Sequence, residues 1–312
     1  MRLIVQFGLD SPQAARIAAA HPDVALVPFT DGEPPPGLTA DAFFGGYLGW
    51  ERILPWLDAA GVRWVQLTGT GADRVPPEVF AGRTVTCARG ASAGPISEWV
   101  LAAILARSKR MPETFLREPP RHWNFPDPRL DRVEGSVVAL VGLGGIGSAI
   151  ARLALAFGMQ VRALRRTDAP SPVPGVEVVT TLADLLPGAD HVVLAAPATA
   201  RTHHLIDAEA FAHMSPGVHL VNIARGTLVD QDALRAALDD GTVGAATLDT
   251  VEPEPLPAGH WLYAHPAVRL TAHVSWYTPD IQGAAIDILL ENLGRFARDE
   301  PLLHVVDPAE GY

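Results

Sequence analysis

The sequence predicts a two-domain α/β protein whose larger part is a doubly wound parallel sheet. Three observations predict it. At 312 residues the chain is long enough for two hydrophobic cores. Strand-like apolar runs alternate with helix-like intervals twice, first up to about residue 90 and again, more strongly, from Val137 to about Thr271. The second set of strands, VVALVG, QVRALR, HVVLAA, VHLVNIA, GAATLD and VRLTAH, is apolar almost throughout. Strands read that way when helices cover both faces of a parallel sheet.

In chain order, residues 2–7 (RLIVQF), 24–29 (VALVPF), 42–44 and 64–67 read as strands. Residues 11–20 have helical composition behind Asp10 or Ser11, both good N-cap residues, and the prolines of EPPPG at 33–37 make a loop. A helix is predicted over 96–109, with Pro95 at its start and Met111-Pro112 at its end. The Pro- and Arg-rich stretch EPPRHWNFPDPRLDRVEG reads as a surface connection to the second alternation. Residues 279–298 are helical again and lead into DEPLLHVVD. No internal repeat or low-complexity tract interrupts this order.

Composition narrows the function classes. Hydrophobic residues make up 48% and charged residues 19%, an ordinary globular balance that excludes a disordered chain. The net charge of −11 argues against a general nucleic-acid binder, which needs a basic surface. The N-terminal apolar run is short and breaks at Gly8-Leu9-Asp10, so no signal peptide is predicted, and no apolar stretch is long enough to span a membrane. Cys87 is the only cysteine, which excludes intrachain disulfides and multi-cysteine metal sites. A cytoplasmic location is the default expectation.

Within LVGLGGIGSAIARLALAFGM lies Gly142-x-Gly144-x-x-Gly147. With 28 glycines in the chain, the spacing alone says little. Its setting says more, because an apolar strand at 137–141 precedes it and a helix at 148–157 follows. Such a turn needs Gly142 to bend, Gly144 to admit a pyrophosphate to the backbone, and Gly147 for close helix–strand packing. The helix N-terminus then offers free N–H groups to the phosphates. A dinucleotide site is predicted here, against the alternative of a tight turn that binds nothing.

An acidic residue that accepts the ribose hydroxyls is expected about 20 residues further on. There the chain reads VRALRRTD, and the residue 18 positions after Gly147 is Arg165. A carboxylate would repel the 2′-phosphate of NADP, whereas an arginine fork clasps it. Arg165 and Arg166, with the Thr167 hydroxyl, therefore favour NADP over NAD. Asp168 is the NAD-type alternative, and solvated loop charges are the plain one.

Three loops that follow strands carry chemistry: NIARGTLVD with Arg225, DTVEPEPLP with Asp249, Glu252 and Glu254, and TAHVSW with His273. Ligands of open α/β sheets bind beyond the carboxyl ends of the strands. Arginine grips a carboxylate and polarises a neighbouring carbonyl; histidine gives or takes an alcohol proton near neutral pH. A glutamate bonded to a histidine orients it and favours its charged form. His203 and His204 are adjacent and lack the helical spacing of a metal pair, and His260 and His265 read as local packing, so no metal site is predicted.

With these motifs in this order, the chain resembles the D-isomer-specific 2-hydroxyacid dehydrogenases. The resemblance is most specific over 94–307 and includes VGLGGIG and PATARTHHLI, with Pro197, Thr199 and Thr202 as the family's proline–threonine loop. It implies a dinucleotide-binding Rossmann domain over 93–277. It also implies a smaller, flavodoxin-like substrate domain from 1–92 plus 278–312, with a cleft between the two. It assigns cofactor contacts to Gly142, Gly144, Gly145, Ile146, Gly147, Arg165, Arg166, Thr167, Pro197, Thr202, Ile223, Ala224 and Asp249. Gly71 and Ala72 of TGTGADRVPPE would meet a substrate carboxylate together with Arg225.

The implied reaction reduces a small 2-oxo acid to the D-2-hydroxy acid, with Arg225 as anchor, His273 as proton donor and Glu254 as the histidine's partner. Glu254 is preferred to Glu252 because it lies five residues after Asp249, the family's offset. The formate-oxidising branch carries an amide there, so this chain departs from it. Arg165 makes it look like the NADP-using glyoxylate/hydroxypyruvate reductases. An NAD-dependent dehydrogenase of another hydroxy acid, phosphoglycerate included, and a dinucleotide-sensing corepressor remain as alternatives. A homodimer is implied, joined partly by the segment before the glycine turn. Tyr47, Leu48, Trp50, Arg89 and Trp276 are candidates for the pocket walls.

Overall fold

Two parallel sheets organise the chain. The computed structural model describes residues 1–46, 49–120, 122–123, 130–166, 169–279, 281–308 and 310. These form two units, Met1–Ser92 with Tyr277–Tyr312, and Ala93–Trp276. Among the described residues no helix is long and apolar enough to cross a membrane.

The first unit contains β1 (Arg2–Val5), β2 (Ala25–Pro28), β3 (Ala42–Gly45), β4 (Trp64–Leu67) and β5 (Thr84–Thr86). They pair in parallel in the order β2-β1-β3-β4-β5, the flavodoxin-like order. Side chains alternate across a strand, so Leu3 and Val5 enter one core and Ile4 the other. The helix Ile281–Ala297 covers the Leu3 face with Ile286, Leu289 and Leu293; the helix Trp50–Ala60 covers the other with Ile53, Trp56 and Leu57. At the helix Pro12–Ala20 the Ser11 hydroxyl accepts from Ala14 N–H at 3.2 Å, the cap its sequence predicts.

A buried polar network ties the C-terminal segment to this sheet. The fully buried Asn292 donates to Gln66 Oε1 (3.0 Å) and Leu303 O (3.1 Å) and accepts from Leu303 N–H (2.7 Å). Gln66 Oε1 also accepts from the Thr86 hydroxyl (2.8 Å), which accepts from the Trp64 indole (2.8 Å). Buried polar groups persist in a core only when their partners are supplied in this way.

The second unit contains β6 (Val137–Val141), β7 (Gln160–Leu164), β8 (Val176–Val179), β9 (His191–Leu194), β10 (Val218–Asn222), β11 (Val243–Leu248) and β12 (Val268–Leu270). All pair in parallel in the order β12-β11-β10-β9-β6-β7-β8. This is the doubly wound arrangement, with strand order reversing between β6 and β9. Val138 and Leu140 pack with Val100 and Ile150 on one face, and Ala139 and Val141 with Phe211 and Leu234 on the other. Both faces are buried, as the apolar strands predict.

Several elements differ from the sequence reading. The predicted helix 96–109 begins earlier, at Ala93, and ends at Ser108. The helix after the glycine turn begins at Gly145, inside the turn, and ends at Ala156. β8 has no counterpart among the predicted strands: it is an edge strand carrying Glu177 and lacks the all-apolar signature of the central strands. The helix Trp50–Ala60 is likewise absent from the sequence prediction, because it carries Pro55, a residue that argues against helix interiors. β5 and the single-turn helix Pro77–Phe80 are too short to show periodicity.

One buried pair makes stability depend on pH. His191 on β9 and His219 on β10 are register neighbours whose Nδ1 atoms lie 3.3 Å apart, and His219 Nε2 meets the Thr247 hydroxyl at 2.8 Å. Burial pushes the His191 imidazole down to about 4 and, with the facing His191, the His219 imidazole down to about 3. Both rings stay neutral in the fold down to those values, while in the unfolded chain they protonate near 6.5. Below pH 6.5 the unfolded state therefore binds more protons. Stability present above pH 6.5 falls by about 1.4 kcal/mol per pH unit for each ring as the pH drops toward 4. Urea denaturation at pH 7.5, 6 and 5 should show this loss, with a shallower slope in His191→Asn; identical stability at all three would contradict it.

Candidate active site

Because every strand of the second unit runs the same way, the loops that follow the strands emerge at one edge of the sheet. Gly142 follows β6, Arg165 follows β7, Pro197 comes three residues after β9, and Ile223–Arg225 (223–225) follow β10. Asp249 follows β11 and His273 comes three residues after β12.

At the switch point the glycines have separate tasks. Gly142 has φ +105°, and a β-carbon there would lie 2.9 Å from Ala195 O on the loop after β9. A β-carbon on Gly147 would collide with the Gly142 carbonyl, whereas one on Gly144 would meet nothing within 4 Å. Gly144 is thus the open cradle and Gly147 the close helix–strand contact. Gly144 is the N-cap of the helix Gly145–Ala156, with no side-chain cap and no acidic residue in the first turn. Its leading N–H groups are unsatisfied within the helix and suited to a pyrophosphate, so the residues fit a dinucleotide.

Arg165 is half-buried, and its Nη1 donates to Ala169 O (3.2 Å) and Pro170 O (2.9 Å), bracing the loop after β7. Arg166 is exposed. Thr167 and Asp168 lie outside the described residues, as do Tyr47 and Leu48. The Thr202 hydroxyl accepts from Thr199 N–H (2.8 Å) and donates to Pro197 O (2.7 Å), so it shapes its own loop.

His273 sits in a heavily constrained loop. Its backbone is left-handed, φ +54°, which costs a non-glycine residue of order 1–3 kcal/mol. The surroundings hold it there. Asp249, 1% exposed, accepts from the Thr271 hydroxyl (2.5 Å), Val274 N–H (2.8 Å) and Ser275 N–H (3.0 Å), and its carbonyl accepts from His273 N–H (2.9 Å). The Trp276 indole donates to His273 O at 2.9 Å. His273 Nδ1 lies 3.0 Å from Glu254 Oε2, and Glu254 Oε1 accepts from Val251 N–H at 3.2 Å. Both side chains are partly buried. A carboxylate at Nδ1 fixes the ring's orientation and turns its Nε2 edge to whatever occupies the site.

Arg225 is joined to these loops through Asn222, the last residue of β10, which is 1% exposed. Asn222 Nδ2 donates to Arg225 O (2.9 Å) and approaches Thr250 O (3.5 Å), its Oδ1 accepts from Ala224 N–H (3.0 Å), and its carbonyl accepts from Asp249 N–H (2.9 Å). Gly226 packs against Val251 and Glu252, where a β-carbon would collide with their backbone. Arg225 itself is half-buried, with Nη1 on Ala224 O at 2.8 Å. Ile223 and Ala224 are buried. Gly71 (half-buried) and Ala72 (buried) belong to the first unit, as do Trp50, which packs on Phe43, and the half-buried Arg89. Sequence reasoning missed Asn222 as a brace; its signal was a polar residue ending an otherwise apolar strand.

A doubly wound sheet with an uncapped glycine turn at its switch point and a histidine–carboxylate pair at the same edge defines a dinucleotide-binding enzyme class. The chain belongs to the D-isomer specific 2-hydroxyacid dehydrogenase family: residues 101–275 match that family's NAD binding domain. It is an oxidoreductase acting on CH–OH donors. It is 31% identical over 220 residues to a glyoxylate/hydroxypyruvate reductase A of Serratia proteamaculans, covering 70% of this chain and 68% of the relative. It is 30% identical over 263 residues to the protein of the same name from Photorhabdus laumondii, covering 81% and 82%. Among solved structures, a D-isomer specific 2-hydroxyacid dehydrogenase from Xanthobacter autotrophicus Py2, in complex with NADPH and MES, matches with TM-score 0.82 and 28% identity over 100% of this chain and 99% of that one.

The Asp249 carboxylate faces donors only, so Asp249→Asn places an amide N–H₂ against another N–H or hydroxyl. The expected loss is about 2–3 kcal/mol, the worth of a hydrogen bond to a charged group. Urea denaturation of the variant measures it, and wild-type stability would show that the charge does not hold the loop.

Proposed function

We propose that this protein is an NADPH-dependent reductase of small 2-oxo acids, of the glyoxylate/hydroxypyruvate type. The observation that carries the reading is the 3.0 Å pair of His273 Nδ1 and Glu254 Oε2 at the carboxyl edge of the dinucleotide-type sheet. The names of its relatives from Serratia and Photorhabdus support the substrate class.

When bound, the nicotinamide supplies the hydride that C2 of the 2-oxo acid receives. Arg225 holds the substrate carboxylate and polarises the C2 carbonyl, as a guanidinium fork does. Protonated His273 gives its Nε2 proton to the carbonyl oxygen as negative charge gathers there, and leaves the step neutral. Glu254 keeps the ring turned for that transfer, and Asp249 and Asn222 keep the loops of His273 and Arg225 in place. Arg165 and Arg166, at the end of β7 where NAD-binding sites carry an acid, favour the 2′-phosphate of NADP. Met111, Phe115, Leu116 and Trp123 are 44%, 62%, 59% and 74% exposed along the segment before β6, and such exposed apolar residues support a homodimer.

Turnover of glyoxylate, hydroxypyruvate, pyruvate and bulkier 2-oxo acids, each with NADH and NADPH, tests this reading. Glyoxylate and hydroxypyruvate with NADPH should be the best pairs. His273→Ala should lower kcat by about 10²–10⁴ with NADPH affinity intact, the usual weight of a general acid. Full activity in that variant would remove the assigned role.

Replacing Arg165 and Arg166 with glutamine should raise KM for NADPH by about 10- to 100-fold, the loss of one or two charge-assisted hydrogen bonds. NADH reports separately on any damage to the loop that Arg165 braces. Equal effects on the two cofactors would return the pair to loop-bracing and solvated roles.

A further inference from the structure

Beside the loop that carries Glu254, two imidazoles and a second carboxylate meet at the surface. His203, His204 and Glu252 are all exposed, and each brings a ligand atom within 4.8 Å of the other two. The sequence spacing argued against a metal pair, since adjacent residues do not share a helix face. The turn supplies what the spacing lacks. His204 is left-handed, φ +49°, with its N–H on Thr227 O at 2.8 Å, and its ring stacks on His203 with centroids 4.0 Å apart.

Glu252 is positioned from the other side. Its carbonyl accepts from Gln231 Nε2, and its backbone packs against Gly226. Behind His204, Asp230 Oδ2 lies 4.0 Å from Nδ1. At that distance Asp230 makes no hydrogen bond to the ring and contributes negative charge that favours a cation beside it.

We propose that His203, His204 and Glu252 form a site for one divalent transition-metal ion of the zinc type. Two imidazoles and one carboxylate suit zinc, nickel or copper, whereas calcium and magnesium take oxygen ligands. Tetrahedral bonds of zinc place ligand atoms about 3.4 Å apart. The ligand atoms, now within 4.8 Å of one another, draw in to that value on binding as the stacked imidazoles and the exposed Glu252 side chain rotate. Water from the open side completes the coordination. The bound ion tethers the 250–254 loop to the turn after the proline–threonine loop.

The test uses full-length protein stripped with chelator. Zinc is titrated by calorimetry and cobalt(II) by its visible absorption, which is intense only for tetrahedral sites. The expected result is saturable uptake of one ion per chain. His203→Ala and Glu252→Ala should each weaken it about 10-fold or more, since even outer-shell changes cost 10–100-fold at metal sites. His213→Ala, at an exposed histidine elsewhere, should leave it unchanged. Metal-free melting curves of the exposed-site variants should match the parent, so lost binding reports lost ligands. Absence of saturable uptake at millimolar zinc, or parental affinity in both variants, would overturn the site.

Discussion

A buried carboxylate anchors the chemistry-bearing edge of the second unit. Asp249 follows β11 at 1% exposure, and a buried carboxyl group is accommodated there because one hydroxyl and two backbone N–H groups surround it. All three donors come from the 271–275 loop, so one interaction both satisfies the group and folds the loop. The left-handed backbone of His273, unfavourable by itself, is offset by the bonds that the loop makes in that conformation. The Trp276 indole and the Glu254 carboxylate then settle the remaining freedom of the residue.

The same economy operates one strand over. Asn222 uses its amide to join the Arg225 loop to the Thr250 loop, and the bare Cα of Gly226 lets the 251–252 backbone close on it. Arg225, Asp249, Glu254 and His273 come from three loops that are distant in sequence. They become one assembly because β10, β11 and β12 are parallel neighbours that end at the same edge. The strand-order reversal between β6 and β9 does the equivalent for the glycine turn, which must lie against Ala195 and therefore tolerates no side chain at Gly142.

Much of this was legible in the sequence, for identifiable reasons. Central strands such as VVALV and HLVN, buried on both faces, announced a covered parallel sheet, and Ser11 before PQAARIAAA announced a capped helix. Elements that broke the pattern were not legible. β8 is half-exposed at the edge, Trp50–Ala60 contains a proline, and the helix after the glycine turn starts within residues whose composition suggests only a turn. Of the site, the residue types and their order could be read. The brace of Asn222, the commitment of the Thr202 hydroxyl to its own loop and the use of Arg165 on Ala169 and Pro170 could not.

The sequence by itself determined the α/β class, the place of the glycine turn and the acid, base and guanidinium available, because local periodicity and residue chemistry are written in the chain. The offset from Asp249 points to Glu254 only through a family resemblance, and the tertiary structure supplies the physical reason that Glu254, not Glu252, meets His273. Glu254 and Glu252 are equivalent as carboxylates. The packing of Gly226 on the 251–252 backbone and the bond from Val251 N–H to Glu254 aim one at the histidine and leave the other beside His203 and His204. The contacts that enforce it run between loops from different strands, and residue chemistry along the chain does not by itself specify them.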